Sequence, residues 1–341
     1  MQLIEKPFGK EATLFVLKNE NGIELAISDY GARIVSLKAP VNGVSRELVL
    51  GFDSAEEYAD KDPYIGASIG RVAGRIRKGQ FVIDETEYQL PVDPENGNNL
   101  HGGNGFDKRL WESEADLNDE AATVTFTLVS PDGDEGFPGN LSISVRYTLT
   151  ADNRWIIDYF AETDQATLYN PTNHVYFNLL GDPGQSVGEH TLKLAADRFI
   201  EIDSAVLPTG NLVDVTATPF DFRAGRPLEQ VFTSEHPQNK IVSGLDHPFL
   251  LTGAGPQAIL TSPDAAVAIE MTTDLPSVVI FTANFGEEGV PMRGTKIGNH
   301  GGVTLETQVP PGALEMDGLG EVILRPAADF HTQTTFKIVT K

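Results

Sequence analysis

NPTNHVYFNLLG, residues 170–181, enters through a proline and then alternates: Val175, Phe177 and Leu179 interleave with His174, Tyr176 and Asn178. Successive side chains of a strand point to opposite faces. A strand here therefore predicts three apolar side chains turned into a core and an imidazole, a phenol and a carboxamide on the other face. That polar face is a candidate site. A half-buried antiparallel strand gives the same alternation with no function attached, so chemistry elsewhere in the chain has to decide between the two readings.

Working outward, short runs of the same kind fill the 341 residues. LFVLKN (14–19), IELAIS (23–28) and ARIVSLKAP (32–40) open the chain as a meander punctuated by Asn-Gly and Tyr-Gly turns. FVIDETEYQL (81–90), TVTFTLVS (123–130), LSISVRYTLT (141–150), RWIIDYFAET (154–163) and HTLKLAA (190–196) continue the pattern, followed by AVAIEMTT (266–273), SVVIFTANF (277–285), VTLETQV (303–309) and TTFKIVTK (334–341). Helical patterns are short, as at 54–58. Many short strands without intervening amphipathic helices predict an all-β protein, a large antiparallel sandwich or barrel and not βαβ units. With no fixed-period repeat and no low-complexity linker, residues 1–341 read as one domain.

The composition excludes whole classes of chemistry. The chain has no cysteine, which removes disulfides, zinc ribbons and thiol nucleophiles and points to a reducing compartment. Its start, MQLIEKPFGKEATLF, lacks the apolar core of a signal peptide, and no run approaches a membrane span, so a cytoplasmic protein is expected. Lys and Arg number 25 against 49 Asp and Glu, a net charge of −24 that repels nucleic acid and anionic lipid alike.

Several motifs fail on context. GASIG (66–70) satisfies G-x-S-x-G but not the strand-turn-helix setting a nucleophile elbow requires, so Ser68 reads as a turn or packing residue. The glycines of HGGNG lack the Lys-Ser/Thr of a phosphate loop. Asp132 and Asp134 in SPDGDEGFPG have calcium-loop spacing, yet Gly136 takes the third ligand position and no Glu closes the loop. The seven histidines show neither H-x-H nor H-E-x-x-H spacing, and no metal or other cofactor is expected. Two Gly-, Pro- and Asn-rich connections, 93–105 and 130–140, are of the kind that carries binding residues on a β scaffold, and both are expected to line the site.

A carboxylate completes the constellation. In VTLETQV, Val303, Leu305, Thr307 and Val309 alternate with Thr304, Glu306 and Gln308, so Glu306 lies on the polar face of a second strand. An imidazole and a carboxylate opposed across one sheet face can act as acid and base, with pKa values drawn toward neutrality by their surroundings. Taken alone, Glu306 reads more readily as a salt-bridged or exposed strand residue than as a catalytic one.

NPTNHVYFNL together with NNLHGGNGFDKRLW (98–111) strongly resembles the aldose 1-epimerase family, the galactose mutarotases. GRVAGRIRKGQF (70–81), SPDGDEGFPGNL (130–141), GLDHPFLL (244–251), LETQVPPGAL (305–314) and ILRPAADF (323–330) resemble that family's segments in the same order, so the likeness covers almost the whole chain. It implies a supersandwich of β-sheets that binds a free sugar in an open cleft without a cofactor. By the same resemblance Glu306 matches the catalytic base and His174 the catalytic acid. His101 matches a second active-site histidine, and Arg75, Asp246 and Phe281 match sugar-contacting positions. Tyr176, beside His174, joins that set. Arg75, preferred to Arg71, matches the sugar-binding arginine, and whether Arg71 contacts sugar or is structural stays open at this level. Many relatives carry an acidic residue after the proline of the Glu motif where this chain has Pro311-Gly312, a departure that bears on loop shape and hydroxyl specificity.

The implied reaction interconverts the α and β anomers of a free aldose such as galactose or glucose, through proton removal from the anomeric hydroxyl and proton delivery to the ring oxygen. An isomerase acting on hexose 6-phosphate, and a non-catalytic sugar-binding module of the same fold, are the alternatives. The first needs a cationic pocket, and the second has no need of an opposed Glu and His. The preferred aldose and the choice between monomer and homodimer stay open at this level.

Overall fold

Along Arg154–Thr163 the side chains Trp155, Ile157, Tyr159 and Ala161 alternate on one buried apolar face, while Asp158 is the buried residue of the other. Period-two burial of this kind needs a partner layer, and the structure, a computed structural model describing residues 1–62, 64–286 and 288–341, supplies one. Arg154–Thr163 is the fourth strand of a nine-stranded sheet. In spatial order the strands are Glu112–Leu117, Ala121–Ser130, Leu141–Thr150, Arg154–Thr163, Phe330–Thr340, Val267–Thr273, Ala258–Thr261, Thr191–Leu194 and Arg226–Pro227. Two five-stranded sheets oppose it. One is the N-terminal meander, Gln2–Gly9, Ala12–Lys18, Glu24–Ser28, Arg33–Val41 and Val44–Glu47. The other runs in the order Pro208–Asp214, Ala196–Ile202, Asp246–Leu251, Ser277–Phe281 and Glu306–Gln308. The ladders are antiparallel. One continuous core joins the three sheets, from Phe15 and Leu25 through Phe126, Tyr147 and Trp155 to Phe199, Phe249 and Val278. The all-β sandwich expected from the sequence is what forms.

Some expectations change in detail. The run 81–90 is two strands, Gln80–Ile83 and Thr86–Gln89, because Asp84 and Glu85 both take positive φ (48° and 67°) and make the tight turn of a hairpin. The run 190–196 likewise splits, Thr191–Leu194 belonging to the nine-stranded sheet and Ala196–Ile202 to the second five-stranded one. The helix expected at 54–58 spans Ala55–Asp60, with the Ser54 hydroxyl accepting from the Glu57 N–H at its start. Gln2–Gly9 gave no apolar run to read, since it is an edge strand whose side chains are mostly exposed.

The largest difference lies in residues 170–181. They form two short strands, Thr172–Asn173 paired with Ser68–Ile69 and Tyr176–Phe177 paired with Val303–Thr304. Between them the chain changes partner at His174, whose N–H donates to the Ala67 carbonyl and whose carbonyl accepts from Gly66, both at 2.9 Å. Both faces are largely covered, and His174 and Tyr176 reach a cleft. Phe177 packs toward the nine-stranded sheet, 5.4 Å between ring centroids from Phe336, and Tyr176 packs the other way, 6.0 Å from Phe281. Asn178, expected on the site face, is buried and donates to the carbonyls of Asp182, Gln185 and Gly301. The polar side chains of this stretch are cross-links: the Asn170 carboxamide exchanges two hydrogen bonds with the Val309 backbone, and the Thr172 hydroxyl donates to the Thr307 carbonyl. They dock the His174 segment onto the Glu306 strand.

Candidate active site

The second five-stranded sheet offers one face to a cleft, and its register decides which side chains line it. Asp246 pairs with Phe281, Pro248 with Val279, Val279 with Glu306 and Ser277 with Gln308. Alternation then puts Asp246, Pro248, Val279, Phe281, Glu306 and Gln308 on one surface, and all six line a cavity of about 210 Å³. The opposite wall comes from the turn that follows Gly70. Arg75 pairs with Leu100, which delivers His101 beside it. Gly74 has φ +79°, and a Cβ there would stand 2.8 Å from Pro311, so a glycine is needed for this wall to close against the loop after Glu306. His174 and Tyr176 form the floor. The seven residues singled out in the sequence, Glu306, His174, Arg75, His101, Asp246, Phe281 and Tyr176, thus surround one cavity.

Within it, His174 Nε2 lies 3.5 Å from Glu306 Oε1, with both side chains almost wholly buried. Thr304 orients the carboxylate: its hydroxyl accepts from the Phe281 N–H at 3.0 Å, which turns its own proton toward Glu306 Oε1 at 2.8 Å. His101 stands edge-on to His174, 5.3 Å between ring centroids, and its Nδ1 accepts from the Gly74 N–H at 3.2 Å. That bond assigns the His101 proton to Nε2. Arg75 approaches Asp246 to 3.8 Å. Tyr176, Phe281 and Phe285 make an aromatic wall with mutual centroid separations of 5.7 to 6.1 Å.

Burial sets the protonation chemistry. It lifts the Glu306 carboxyl to about 7, against the opposing pull of the Thr304 hydroxyl and Arg75. It lowers His174 below the ordinary histidine value, a shift opposed first by the Asp62 carboxylate and then by hydrogen bonding and Asp246. Burial thus moves the two groups in opposite senses, the imidazole down and the carboxyl up. Burial also holds His101 well below its usual value, with His174 and Arg75 adding to the effect, and leaves it a neutral donor through Nε2. Asp246 is raised to about 6 by burial, opposed by Arg75.

A family model described as aldose 1-epimerase matches residues 13–337. The chain belongs to the aldose 1-epimerase family. It is 40% identical to the aldose 1-epimerase of Haemophilus influenzae over 89% of this chain and 88% of that one, and 37% identical to the human galactose mutarotase over 92% and 91%. The crystal structure of galactose 1-epimerase from Lactobacillus acidophilus superposes with a TM-score of 0.88 at 31% identity, covering 99% of this chain and 98% of that one.

Arg71 stands away from the cleft of this family member, in the role of a clamp. Its guanidinium is buried and donates to the Ser130 hydroxyl and carbonyl, the Pro131, Pro138 and Gly139 carbonyls and the Thr167 hydroxyl, at 2.8 to 3.0 Å. Loop 130–140 is therefore not a cleft wall, contrary to expectation: its carbonyls turn inward onto Arg71, and the part of 93–105 that reaches the cleft is Leu100 and His101. Ser68 is a packing residue, its hydroxyl bonded to the Ala32 carbonyl and the Tyr147 phenol. Pro311 lines the cleft, and Gly312, at φ +92° against Pro208, supports the turn behind it. Sequence reasoning missed Asp62, Tyr64 and Phe285 and did not single out Gln308 as a cleft residue. Gln308 was visible on the polar face of VTLETQV, whereas Asp62 and Tyr64 sit in a connection that carries no periodicity. No described helix is long and apolar enough to cross a membrane.

Proposed function

We propose that the chain catalyses the interconversion of the α and β anomers of a free, unphosphorylated aldose, with Glu306 as base and His174 as acid. The observation that carries this is the buried Glu306–His174 pair, 3.5 Å apart at the floor of a sugar-sized cleft. The anomeric oxygen and the ring oxygen are bonded to the same carbon, so two proton-transfer groups this close can serve both at once. Ring opening begins from ionised Glu306 and protonated His174. Glu306 takes the proton of the anomeric hydroxyl as the bond from C1 to the ring oxygen breaks, and His174 protonates that oxygen. The open aldehyde is then held beside a neutral carboxylic acid and a neutral imidazole. After rotation about C1–C2, His174 takes back the proton and Glu306 returns its own, which restores the starting state. Burial brings the two protonation states of the pair close in energy, which suits a reaction that must run equally in both directions.

His101, Arg75 and Asp246 offer donors and an acceptor for ring hydroxyls, and Tyr176 and Phe281 an apolar wall for a sugar face. Arg75 is the only Lys or Arg among the described cleft residues and is matched by Asp246, a poor site for a phosphate dianion. This supports a neutral sugar over a hexose 6-phosphate, and relatives named galactose mutarotase make galactose the first sugar to try. The −24 charge and lack of cysteine support a cytoplasmic enzyme without a nucleic-acid partner. The test is the optical rotation of freshly dissolved α-D-galactose and α-D-glucose, corrected for spontaneous mutarotation, with galactose 6-phosphate alongside. Accelerated decay for the free sugars is expected. No acceleration, or acceleration confined to the phosphate ester, would overturn the proposal.

A further inference from the structure

Gln308 lines the cleft with its side chain fully buried, and neither its Oε1 nor its Nε2 has a hydrogen-bond partner among the described residues. A carboxamide carries two donors and two acceptor positions, and buried groups of this kind are almost always satisfied. The same cleft is lined by apolar Pro248, Val279 and Pro311 and by charged Arg75, Asp246 and Glu306, and the carboxamide bonds to none of them. The strand opposite engages only its backbone, the Ser277 hydroxyl donating to the Gln308 carbonyl at 2.6 Å. The carboxamide is therefore not a cross-link like those of Asn170 and Asn178.

Its position adds a second argument. Gln308 stands two residues beyond Glu306 on the same strand, so both project from the same face, roughly 6.6 Å apart along the chain. A pyranose whose anomeric hydroxyl meets Glu306 extends over that distance. We infer that the Gln308 carboxamide is a sugar-binding group that donates to and accepts from a single ring hydroxyl other than the anomeric one, and so selects among aldoses. The inference rests on the reading of this cleft as a sugar site.

The test pairs Gln308→Leu with a series of singly deoxygenated galactoses, measuring KM by polarimetry and Kd by calorimetry on the full chain. With the parent sugar, KM and Kd should rise about tenfold or more, the loss expected when both hydrogen bonds between the carboxamide and that hydroxyl are removed, while kcat changes less. One deoxysugar should bind wild type and variant equally well, since its missing hydroxyl is the partner. Thermal stability should hold or increase, because an unpaired polar group is replaced by an apolar one. Gln308→Met, with an unbranched side chain of similar length, serves if the leucine variant folds poorly. Unchanged affinity for every sugar would overturn the inference. So would an equal loss across all deoxysugars with a lowered melting temperature, the mark of a packing role or of a structural water held by the amide. Wild-type turnover in the same polarimeter reports separately on the catalytic proposal, and the Kd series decides the role of Gln308 even for a protein that binds without turnover.

Discussion

Replacing Thr304 with valine removes one hydroxyl and little volume, and its effect on the proton-sharing pair follows from the geometry. That hydroxyl accepts from the Phe281 N–H and donates to Glu306 Oε1 at 2.8 Å, so it favours the ionised carboxylate. Glu306 is only 3% exposed, and solvent does not replace the donor. A hydrogen bond to a charged group contributes about 1.5–3 kcal/mol, and 1.36 kcal/mol corresponds to one pKa unit, so Thr304→Val should raise Glu306 by about one to two units from its value near 7. In the proposed mechanism the productive form, with one proton on the pair, has Glu306 ionised and His174 protonated. The unproductive form has the proton on Glu306. Raising the Glu306 pKa moves population to the second, so the pH-independent rate should fall about ten- to a hundredfold. A carboxyl group with a higher pKa also keeps its proton to higher pH, so the alkaline limb of the profile should shift upward. KM should change little, since Thr304 does not line the cleft. Thr304→Ser, which keeps the hydroxyl, should recover most of the rate. Optical rotation followed from mildly acid to mildly alkaline buffer measures all of this. A folded valine variant with the wild-type plateau and alkaline limb would refute the reasoning, as would equal losses in the valine and serine variants.

Asp62→Asn should depress the His174 pKa further, because the Asp62 carboxylate is the first influence opposing burial there. The plateau rate should drop severalfold and the acid limb should move to lower pH, both read from the same rotation assay. Arg75→Ala and Asp246→Asn should raise KM more than they lower kcat, measured with several aldoses, and wild-type KM in both would mean that neither holds a hydroxyl. Arg71→Met should lower stability by about 3 kcal/mol or more in denaturant unfolding, because it orphans the carbonyls of residues 130, 131, 138 and 139. An unchanged unfolding midpoint would contradict the clamp.

Period-two alternation exposed the nine-stranded sheet because Trp155, Tyr147 and Phe126 each sit on strands with one buried face. Alternation failed at residues 170–181 for a definite reason. This stretch is covered on both sides, so Asn170 and Asn178 are buried polar groups satisfied by backbone carbonyls, and a rule built on one wet face misreads them. Glu306 and His174 were legible as types on polar faces, but their 3.5 Å contact depends on long-range docking through Asn170 and Thr172 that no local pattern encodes. Arg75 and Asp246 carry no signal of their own and were found by resemblance. Asp62 and Tyr64 lie in a short connection after Ala55–Asp60, where only the tertiary fold reveals that they face a cleft.

The central claim is that Glu306 and His174 exchange protons with a bound aldose. Its most direct measurement is the rate of mutarotation by Glu306→Gln, His174→Asn and the double variant, beside calorimetric binding of the same sugar. Each single variant should bind sugar and lose about a hundredfold or more in kcat, and the double variant should lose much less than the product of the two, since both groups act in one ring-opening step. Single variants that fold, bind sugar and mutarotate at the wild-type rate would contradict the account.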